Sequence, residues 1–180
     1  MDWKKNFETT RLQLRPFIEK DQEPFKDLVA DRQVERFLSM PTLAHLKQTK
    51  HLKDYTLFET PKPGHGLTLL IREKENEEFV GIIGLRPAED KNEYRLFCTL
   101  GPQYWLKGYA KEAGNVVIKY GFEEMQAEAI HGSAEGSNLA SVNFLNSLGM
   151  RLNTGDKPSP NSSIKPFEIT KEDYRRRSMK

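Results

Sequence analysis

Residues 94–134 constrain the fold more than any other part of the chain. A strand-like run ends at Leu100, where Gly101-Pro102 stops it, and small or apolar residues then recur at helical spacing from Ala110 to Gly121. This period predicts a helix, and 129–134 follows as a short apolar strand. Strand, crossover helix and strand predict two parallel neighbours in one sheet. The chain therefore needs an α/β layer structure with at least one parallel strand pair.

Other runs add antiparallel strands and further helices around this unit. Period-two alternation predicts half-buried strands, and polar Gly/Pro-rich stretches predict the loops between them. Apolar positions three and four residues apart predict helices, and Gly149 is expected to end the last of them. The predicted strands are 10–15, 67–71, 79–85, 94–100, 129–134, 150–152 and 164–170; the predicted helices are 21–30, 33–38, 41–60, 110–121 and 137–148.

The length and charge of the chain favour a single globular domain over residues 1–180. Its 28 basic and 26 acidic side chains leave a net charge of only +2, which argues against a dedicated nucleic-acid binder. Cys98 is the only cysteine, so an intrachain disulfide and multi-cysteine metal sites are excluded and a reducing cytoplasm is favoured. Because no run approaches the ~18 apolar residues of a membrane span, we expect a soluble cytoplasmic protein.

The loop before the central helix has the composition of an anion site. The free N–H groups and the positive dipole end of this helix should face a cleft at the carboxyl ends of the parallel strands. Gly108 allows a close backbone approach, and Lys107 and Lys111 flank it. Solvated turns contain the same residues about equally often, so the loop alone leaves both interpretations open.

Several segments, in this order, resemble the GNAT-superfamily N-acetyltransferases, specifically the RimJ/RimL-like branch that includes ribosomal-protein N-terminal acetyltransferases. They are 8–16 (ETTRLQLRP), 100–113 (LGPQYWLKGYAKEA), and Asn138-Leu139-Ala140-Ser141 followed by Leu148-Gly149-Met150. The resemblance implies an α/β (α+β) fold: a mixed, mostly antiparallel sheet of about seven strands, helices on both faces and a splayed parallel pair. It also implies transfer of acetyl from acetyl-CoA, without a metal, to a primary amine.

The resemblance further implies where acetyl-CoA binds. Its pyrophosphate is expected on the backbone amides of 105–110, its pantetheine arm between the parallel strands, and its thioester carbonyl near a backbone N–H of Thr99 or Leu100. Two residues depart from the family pattern: Trp105 replaces Arg or Gln, and Leu106 replaces a frequent glycine, which is expected to weaken binding. The cofactor-binding residues implied are Thr99, Leu100, Trp105, Leu106, Lys107, Gly108, Tyr109, Ala110, Asn138 and Ser141.

Acetyl transfer needs an acid for the departing thiolate. Many GNAT enzymes use a tyrosine on the last helix, but Leu145 stands in the corresponding place. Ser141 lies one helical turn after Asn138 and is the candidate donor, directly or through water, although a capping or packing role is equally compatible. Asn138 is a candidate for the pantetheine amide, with an early-helix hydrogen-bonding role as the alternative.

The transfer also needs a base for the amine. Glu93 is the candidate because it begins the strand that should line the cleft; Glu89 and Asp90 are weaker ones, and exposed loop acids are the alternative interpretation. An α-amine of pKa ~8 is about a tenth neutral at pH 7, whereas a lysine of pKa ~10.4 is neutral to well under 0.1%. The lack of an obvious strong base therefore favours a protein N-terminal α-amine or a low-pKa small amine.

The remaining polar residues carry weaker signals. Cys98 is interpreted as a packing residue, and the basic run 175–177 is interpreted as a solvated tail. The four histidines show no metal-ligand spacing; they are His45, His51, His65 and His131.

The acceptor pocket is expected to be formed by residues 21–60 and 89–92. Alternatives are a non-catalytic acyl-CoA sensor, an enzyme for a small-molecule amine, and a ribosome or RNA contact protein. Either a monomer or a homodimer is compatible with the sequence.

Overall fold

The computed structural model describes residues 6–37, 66–90, 92–153 and 163–179. Within these residues, eight strands form one sheet in the order β1-β2-β3-β4-β5-β6-β8-β7. The strands are β1 (Phe7–Glu8), β2 (Leu12–Arg15), β3 (Leu67–Glu73), β4 (Phe79–Pro87), β5 (Glu93–Leu100), β6 (Ala129–Glu135), β7 (Arg151–Leu152) and β8 (Ile164–Thr170). The α-helices in the described ranges are α1 (Gln22–Ala30), α2 (Arg32–Glu35), α3 (Tyr109–Glu123), α4 (Leu139–Ser147) and α5 (Lys171–Ser178).

This arrangement confirms the predicted mixed α/β fold and adds three differences. The two-residue β1 is an eighth strand that was too short to show a period. The predicted helix at 33–38 is only the short α2, which ends at Glu35. The basic run 175–177 lies in the helix α5, with its side chains exposed, and not in an irregular tail. The predicted helix at 41–60 and His45, His51 and His65 lie outside the described residues.

Helices cover both faces of the sheet. On one side, called here the α3 face, α3 lies so close that a Cβ added to Gly121 would come 2.8 Å from side-chain atoms of Leu85 and Ile130. On the other side, called the α1 face, Phe25 and Val29 of α1 pack on Ile82. Because side chains alternate along each strand, adjacent residues of β4 and β5 serve opposite faces.

A buried ion pair fixes the entry into α1. Asp21 accepts two hydrogen bonds from the Arg15 guanidinium, at 2.6 and 2.7 Å, and a third from the backbone N–H of Ile18 at 2.8 Å. Both charged side chains are buried, and the paired geometry satisfies them without water. The end of β2 is thereby joined to the helix that covers the α1 face.

The parallel strands separate soon after they begin. β5 and β6 pair only at Glu93 with Ala129, Tyr94 with Ile130, and Arg95 with His131. Beyond these three pairs, 96–100 and 132–135 form no ladder with each other. The facing edges of these two segments define what we call the open groove. The predicted splayed parallel pair is therefore confirmed.

Candidate active site

The open groove leads to the amino end of α3 through a loop, residues 105–110, called here the phosphate loop. Gly108 is the residue before α3, has φ +82°, and provides no side-chain cap for the N–H groups of the first turn. Leu106 also has a positive φ, +59°, and its side chain is 91% exposed. Uncapped N–H groups at a helix start attract anions, so the geometry fits a phosphate group.

Arg11 holds this loop from outside. Its Nη1 donates to the Lys107 carbonyl at 2.9 Å, its Nε donates to Glu112 at 2.8 Å, and its guanidinium lies 4.4 Å above the Tyr109 ring. Burial alone would raise the pKa of Glu112, but hydrogen bonds from Thr9 and Arg11 and the Arg11 charge outweigh burial and lower it. The turn before β2 and the first turn of α3 thus clamp the loop between them.

The contacts of Trp105 account for one departure from the family pattern. Its indole Nε1 donates to the Leu100 carbonyl at 2.8 Å, and its ring packs against the main core. The last residue of β5 is therefore tied directly to the phosphate loop. Where the pattern has a polar Arg or Gln, this chain has a largely apolar side chain whose one donor is used inside the protein.

Two tyrosines fix the loop from below. The Tyr104 hydroxyl donates to Glu78 at 2.7 Å, and the Tyr109 hydroxyl donates to Glu73. Burial, followed by the hydrogen bond to Glu78, raises the pKa of Tyr104 to about 12. The hydrogen bond to Glu73 likewise raises the pKa of Tyr109. Both phenols are committed to the β3–β4 hairpin, a supporting role that no local motif reveals.

The candidates on α4 lie at its first turn. The Asn138 side-chain oxygen accepts from the Ser141 backbone N–H at 3.1 Å, so Asn138 is the N-cap of the helix. The Ser141 hydroxyl has no hydrogen-bond partner within the described ranges and is partly exposed. Leu145 is buried, and its side chain lies against Gly132 of β6. The position of the usual tyrosine is therefore part of the core.

Glu93 lies at the closed end of the open groove and is paired with His131. His131 Nε2 is 2.7 Å from Glu93 Oε2, and its Nδ1 is 3.6 Å from Glu168 Oε1. All three side chains are partly buried on the α1 face. Glu89 and Asp90 are exposed in the preceding turn. The structure thus separates Glu93 from the two loop acids. His131, which shows no metal-ligand spacing in the sequence, is the hydrogen-bond partner of Glu93.

Cys98 lies on β5 and faces the main core. It packs against the buried residues of the α3 face, and burial raises the pKa of its thiol to about 12. A thiol with this pKa carries almost no thiolate at neutral pH and is a poor nucleophile. The predicted packing role is confirmed.

Metal-ligand clusters and membrane-length helices are both absent from the described part of the chain. No group of three or more His, Cys, Asp and Glu side chains is placed to hold a metal ion within those residues. No helix among them is long and apolar enough to cross a membrane. A cavity of about 410 Å³ lies between the last turn of α3 and α5, at the end of α3 opposite the phosphate loop.

Comparison with known proteins supports the same reading of the fold. The family profile described as the acetyltransferase (GNAT) domain matches residues 11–151. The uncharacterized N-acetyltransferase p20 of Bacillus licheniformis is 26% identical over 144 residues, covering 79% of this chain and 80% of that protein. A GNAT-family acetyltransferase from Bacillus anthracis superposes with a TM-score of 0.70 at 21% identity, over 93% of this chain and 99% of that chain.

A further solved structure contains the coenzyme. Spermidine N-acetyltransferase from Vibrio cholerae, in complex with CoA and spermine, superposes with a TM-score of 0.68 at 16% identity, over 92% of this chain and 99% of that chain. At this identity the likeness concerns the fold. The profile match, by contrast, runs from the turn before β2 to the start of β7 and includes both the open groove and the phosphate loop. GNAT enzymes are acyltransferases that use acetyl-CoA as co-substrate, and this chain belongs to the GNAT family of acetyltransferases.

Proposed function

We propose that this protein transfers an acetyl group from acetyl-CoA to a primary amine by direct attack in a ternary complex. The observation that carries the proposal is the open groove, which has an uncapped helix start at one end and the Glu93–His131 pair at the other. The favoured acceptor is a protein N-terminal α-amine or another amine of low pKa. On the segments that resemble the RimJ/RimL-like branch, we propose the same branch and a cytoplasmic location, with residues 1–180 as one domain.

The donor would bind mainly to the backbone. The N–H groups of the phosphate loop and the first turn of α3 suit the pyrophosphate, because they have neither a side-chain cap nor a helical partner. The free edges of the open groove suit the pantetheine amides, with the backbone N–H groups of Thr99 and Leu100 among them. Because six residues of β5, about 20 Å, separate Thr99 from Glu93, the thioester is proposed farther along the groove toward Glu93 rather than at Thr99. Asn138 and Ser141 lie at the first turn of α4, where a polar contact to pantetheine is proposed.

The reaction needs a base before the amine attacks the thioester and a proton donor when the thiolate leaves. Glu93 takes the proton from the acceptor ammonium, and the amine nitrogen then attacks the thioester carbonyl carbon. The new C–N bond forms as the carbonyl becomes an oxyanion, and the C–S bond breaks when that intermediate collapses. The surplus proton on the tetrahedral nitrogen passes to the departing thiolate through the Ser141 hydroxyl or a water beside it, a relay that gives one proton to sulfur and receives one from nitrogen. Each proton and each bond is accounted for without a covalent enzyme intermediate.

The test is thiol release from acetyl-CoA with a panel of amines that includes N-terminal peptides. Glu93→Gln should lower kcat at least about a hundredfold, because a positioned base contributes about that much or more. CoA affinity, measured by calorimetry, should stay unchanged because Glu93 lies away from the phosphate loop. Glu89→Gln is the matched control, since its carboxylate is exposed in the turn. Equal kcat values for both variants would exclude Glu93 as the base.

The same panel addresses the acyl-CoA sensor that the missing tyrosine first suggested. A sensor would bind CoA and show no amine-dependent thiol release above hydrolysis. Family membership and the pairing of Glu93 with His131 favour turnover instead. The RNA-contact alternative rests on the three-residue basic run 175–177, and the net charge of only +2 argues against it.

A further inference from the structure

A row of polar side chains crosses the sheet on the α1 face, beside the closed end of the open groove. Arg86 of β4 is the register partner of Arg95 on β5, and Arg95 is in turn the partner of His131 on β6. His131 pairs with Glu168 on β8. Register partners point to the same face, so these four side chains form one line across four strands. The line is basic at β4 and β5 and acidic at β8.

Among the described residues, no carboxylate is paired with the basic half of this line, although Glu93 projects from the same face of β5 two residues from Arg95. Arg86 and Arg95 stand directly opposite each other, and like charges at opposed positions destabilise a sheet. Neither guanidinium forms an ion pair with a carboxylate in the part of the chain that the structure describes. Arg86 instead lies 4.8 Å above the Phe97 ring and is partly buried, while Arg95 is exposed. Two guanidinium groups without a paired carboxylate attract anions.

A second observation on the same face points to a polar ligand. Thr68 of β3 is 7% exposed, and its hydroxyl has no hydrogen-bond partner among the described residues. Its register partner is Gly84, and the Phe97 ring lies over that glycine. Arg86 stacks on the same Phe97 ring. A buried hydroxyl without a partner normally costs free energy, which a bound polar group would recover.

We propose that Arg86 and Arg95 bind an acidic group of the acceptor, so that the substrate class is an amine with a carboxylate or similar anion close to the amine. This inference rests on the proposed function, because Glu93 is the base that the amine approaches. Along β5, two residues correspond to about 6.6 Å, so the Cα atoms of Arg95 and Glu93 are separated by about that distance and both side chains project from the α1 face. The amine and the acid of one small acceptor can therefore reach both residues together.

The proposal also disfavours a polycationic acceptor. A polyamine would place a second positive charge near the two arginines, where repulsion would weaken its binding. A zwitterionic or acidic amine instead matches the order of charges along the line. The same chemistry is present in a free α-amino acid and in a peptide with an acidic residue near its N-terminus, and these two sources require separate arms in the test.

The experiment measures binding of reaction products to the CoA-loaded protein by calorimetry, so that it does not depend on turnover. N-acetylphenylalanine is compared with N-acetylphenylalaninamide, which differs only in its charge. The carboxylate should bind at least about tenfold more tightly, because a charge-assisted hydrogen bond contributes on the order of 1.5 to 3 kcal/mol. The preference should weaken with added salt.

Substitutions locate the preference on the sheet. Arg95→Gln changes an exposed side chain and should reduce the carboxylate preference to about threefold or less; Arg86→Gln should have a similar effect. Arg175→Gln, on α5 and remote from the groove, is the control and should keep the full preference. A second arm compares N-acetyl-Met-Asp-amide with N-acetyl-Met-Asn-amide, and a larger ratio there identifies the peptide source.

Two results would overturn the inference. One is equal affinity for the charged and neutral member of both pairs; the other is a carboxylate preference that survives in the Arg86→Gln/Arg95→Gln double variant. Thiol release is measured separately on the same samples. An intact carboxylate preference without thiol release supports the inference and argues against the proposed function, so that the two failures can be distinguished.

Discussion

Leu106 has a backbone conformation that its own side chain disfavours. Its φ of +59° lies in the left-handed region, where a Cβ clashes with the following carbonyl at a cost of roughly 1 to 2 kcal/mol. The side chain is almost fully exposed and recovers little of that cost by packing. The glycine that is frequent at this position in the family therefore has a conformational reason: the phosphate loop needs a positive φ both here and at Gly108.

Leu106→Gly is expected to stabilise the protein by about 0.5 to 1 kcal/mol, because relief of the left-handed strain outweighs the greater freedom of glycine in the unfolded chain. Urea unfolding at pH 7 measures the change. Leu106→Ala keeps a Cβ and should leave the stability nearly unchanged. Gly108→Ala should destabilise by about 1 kcal/mol for the converse reason. A destabilised Leu106→Gly variant would contradict the strain at this position.

At the scale of secondary-structure elements, the amino end of α3 depends on a neighbour far away in sequence. Glu112, in the first turn of α3, accepts hydrogen bonds from Thr9 and from the backbone and side chain of Arg11. A carboxylate near a helix start also interacts favourably with the helix dipole. The turn before β2 and the start of α3 are thus held as one unit, and the phosphate loop lies between them.

Glu112→Gln should destabilise the protein by about 2 kcal/mol at pH 7, since it removes charge-assisted hydrogen bonds from a carboxylate that is only 18% exposed. The sign with pH follows from the lowered pKa of Glu112. The unfolded chain binds the proton more readily, so this stabilisation is complete above the usual glutamate value of about 4.5 and is lost as the pH falls through the lower folded pKa.

The measurement is guanidinium unfolding between pH 7 and pH 3. The difference between wild type and Glu112→Gln should shrink toward the acid end. Glu77→Gln is the matched control: its side chain is 79% exposed, its partner Arg72 is 3.5 Å away, and its loss should cost less than about 0.5 kcal/mol. A difference for Glu112→Gln that stays constant down to pH 3 would show that its charge is not the cause.

For the whole molecule, α5 shows what the sequence alone did not reveal. Its residues have no apolar stripe, so no helical period predicts it. Thr170 caps it, and Tyr174 joins it to α3 by stacking on Phe122, with ring centroids 4.8 Å apart. The Tyr174 hydroxyl also donates to Glu123 at 2.7 Å. Tertiary contacts, rather than local pattern, determine this helix.

Tyr174→Ala should therefore lower the free energy of unfolding by about 2 kcal/mol, through loss of the ring stacking and of one hydrogen bond. Tyr174→Phe keeps the ring and should lose about 1 kcal/mol or less. Thermal unfolding of the three proteins measures both effects. If Tyr174→Ala unfolds at the wild-type temperature, the docking of α5 contributes nothing to the fold.

The sequence predicted most of the fold and only part of the candidate site. Strands β3 to β6 and helix α3 have strong periods, and the phosphate loop lies at the junction of two such elements. Glu93, His131 and Glu168 are far apart in the chain and meet only through the parallel register of β5 with β6 and the antiparallel register of β6 with β8. A register of this kind depends on the folded sheet, so no local spacing shows it.

The early separation of β5 and β6 has a consequence for how such chains diverge. A ligand received by unpaired peptide groups makes few demands on which amino acids carry those groups, because every non-proline residue offers the same donor and acceptor. Substitutions can then accumulate along both strands, and on the α1 face in particular, while the groove between them keeps its shape. A change of acceptor specificity would then need only substitutions of side chains on the α1 face, while the backbone of the groove that binds the coenzyme stays the same.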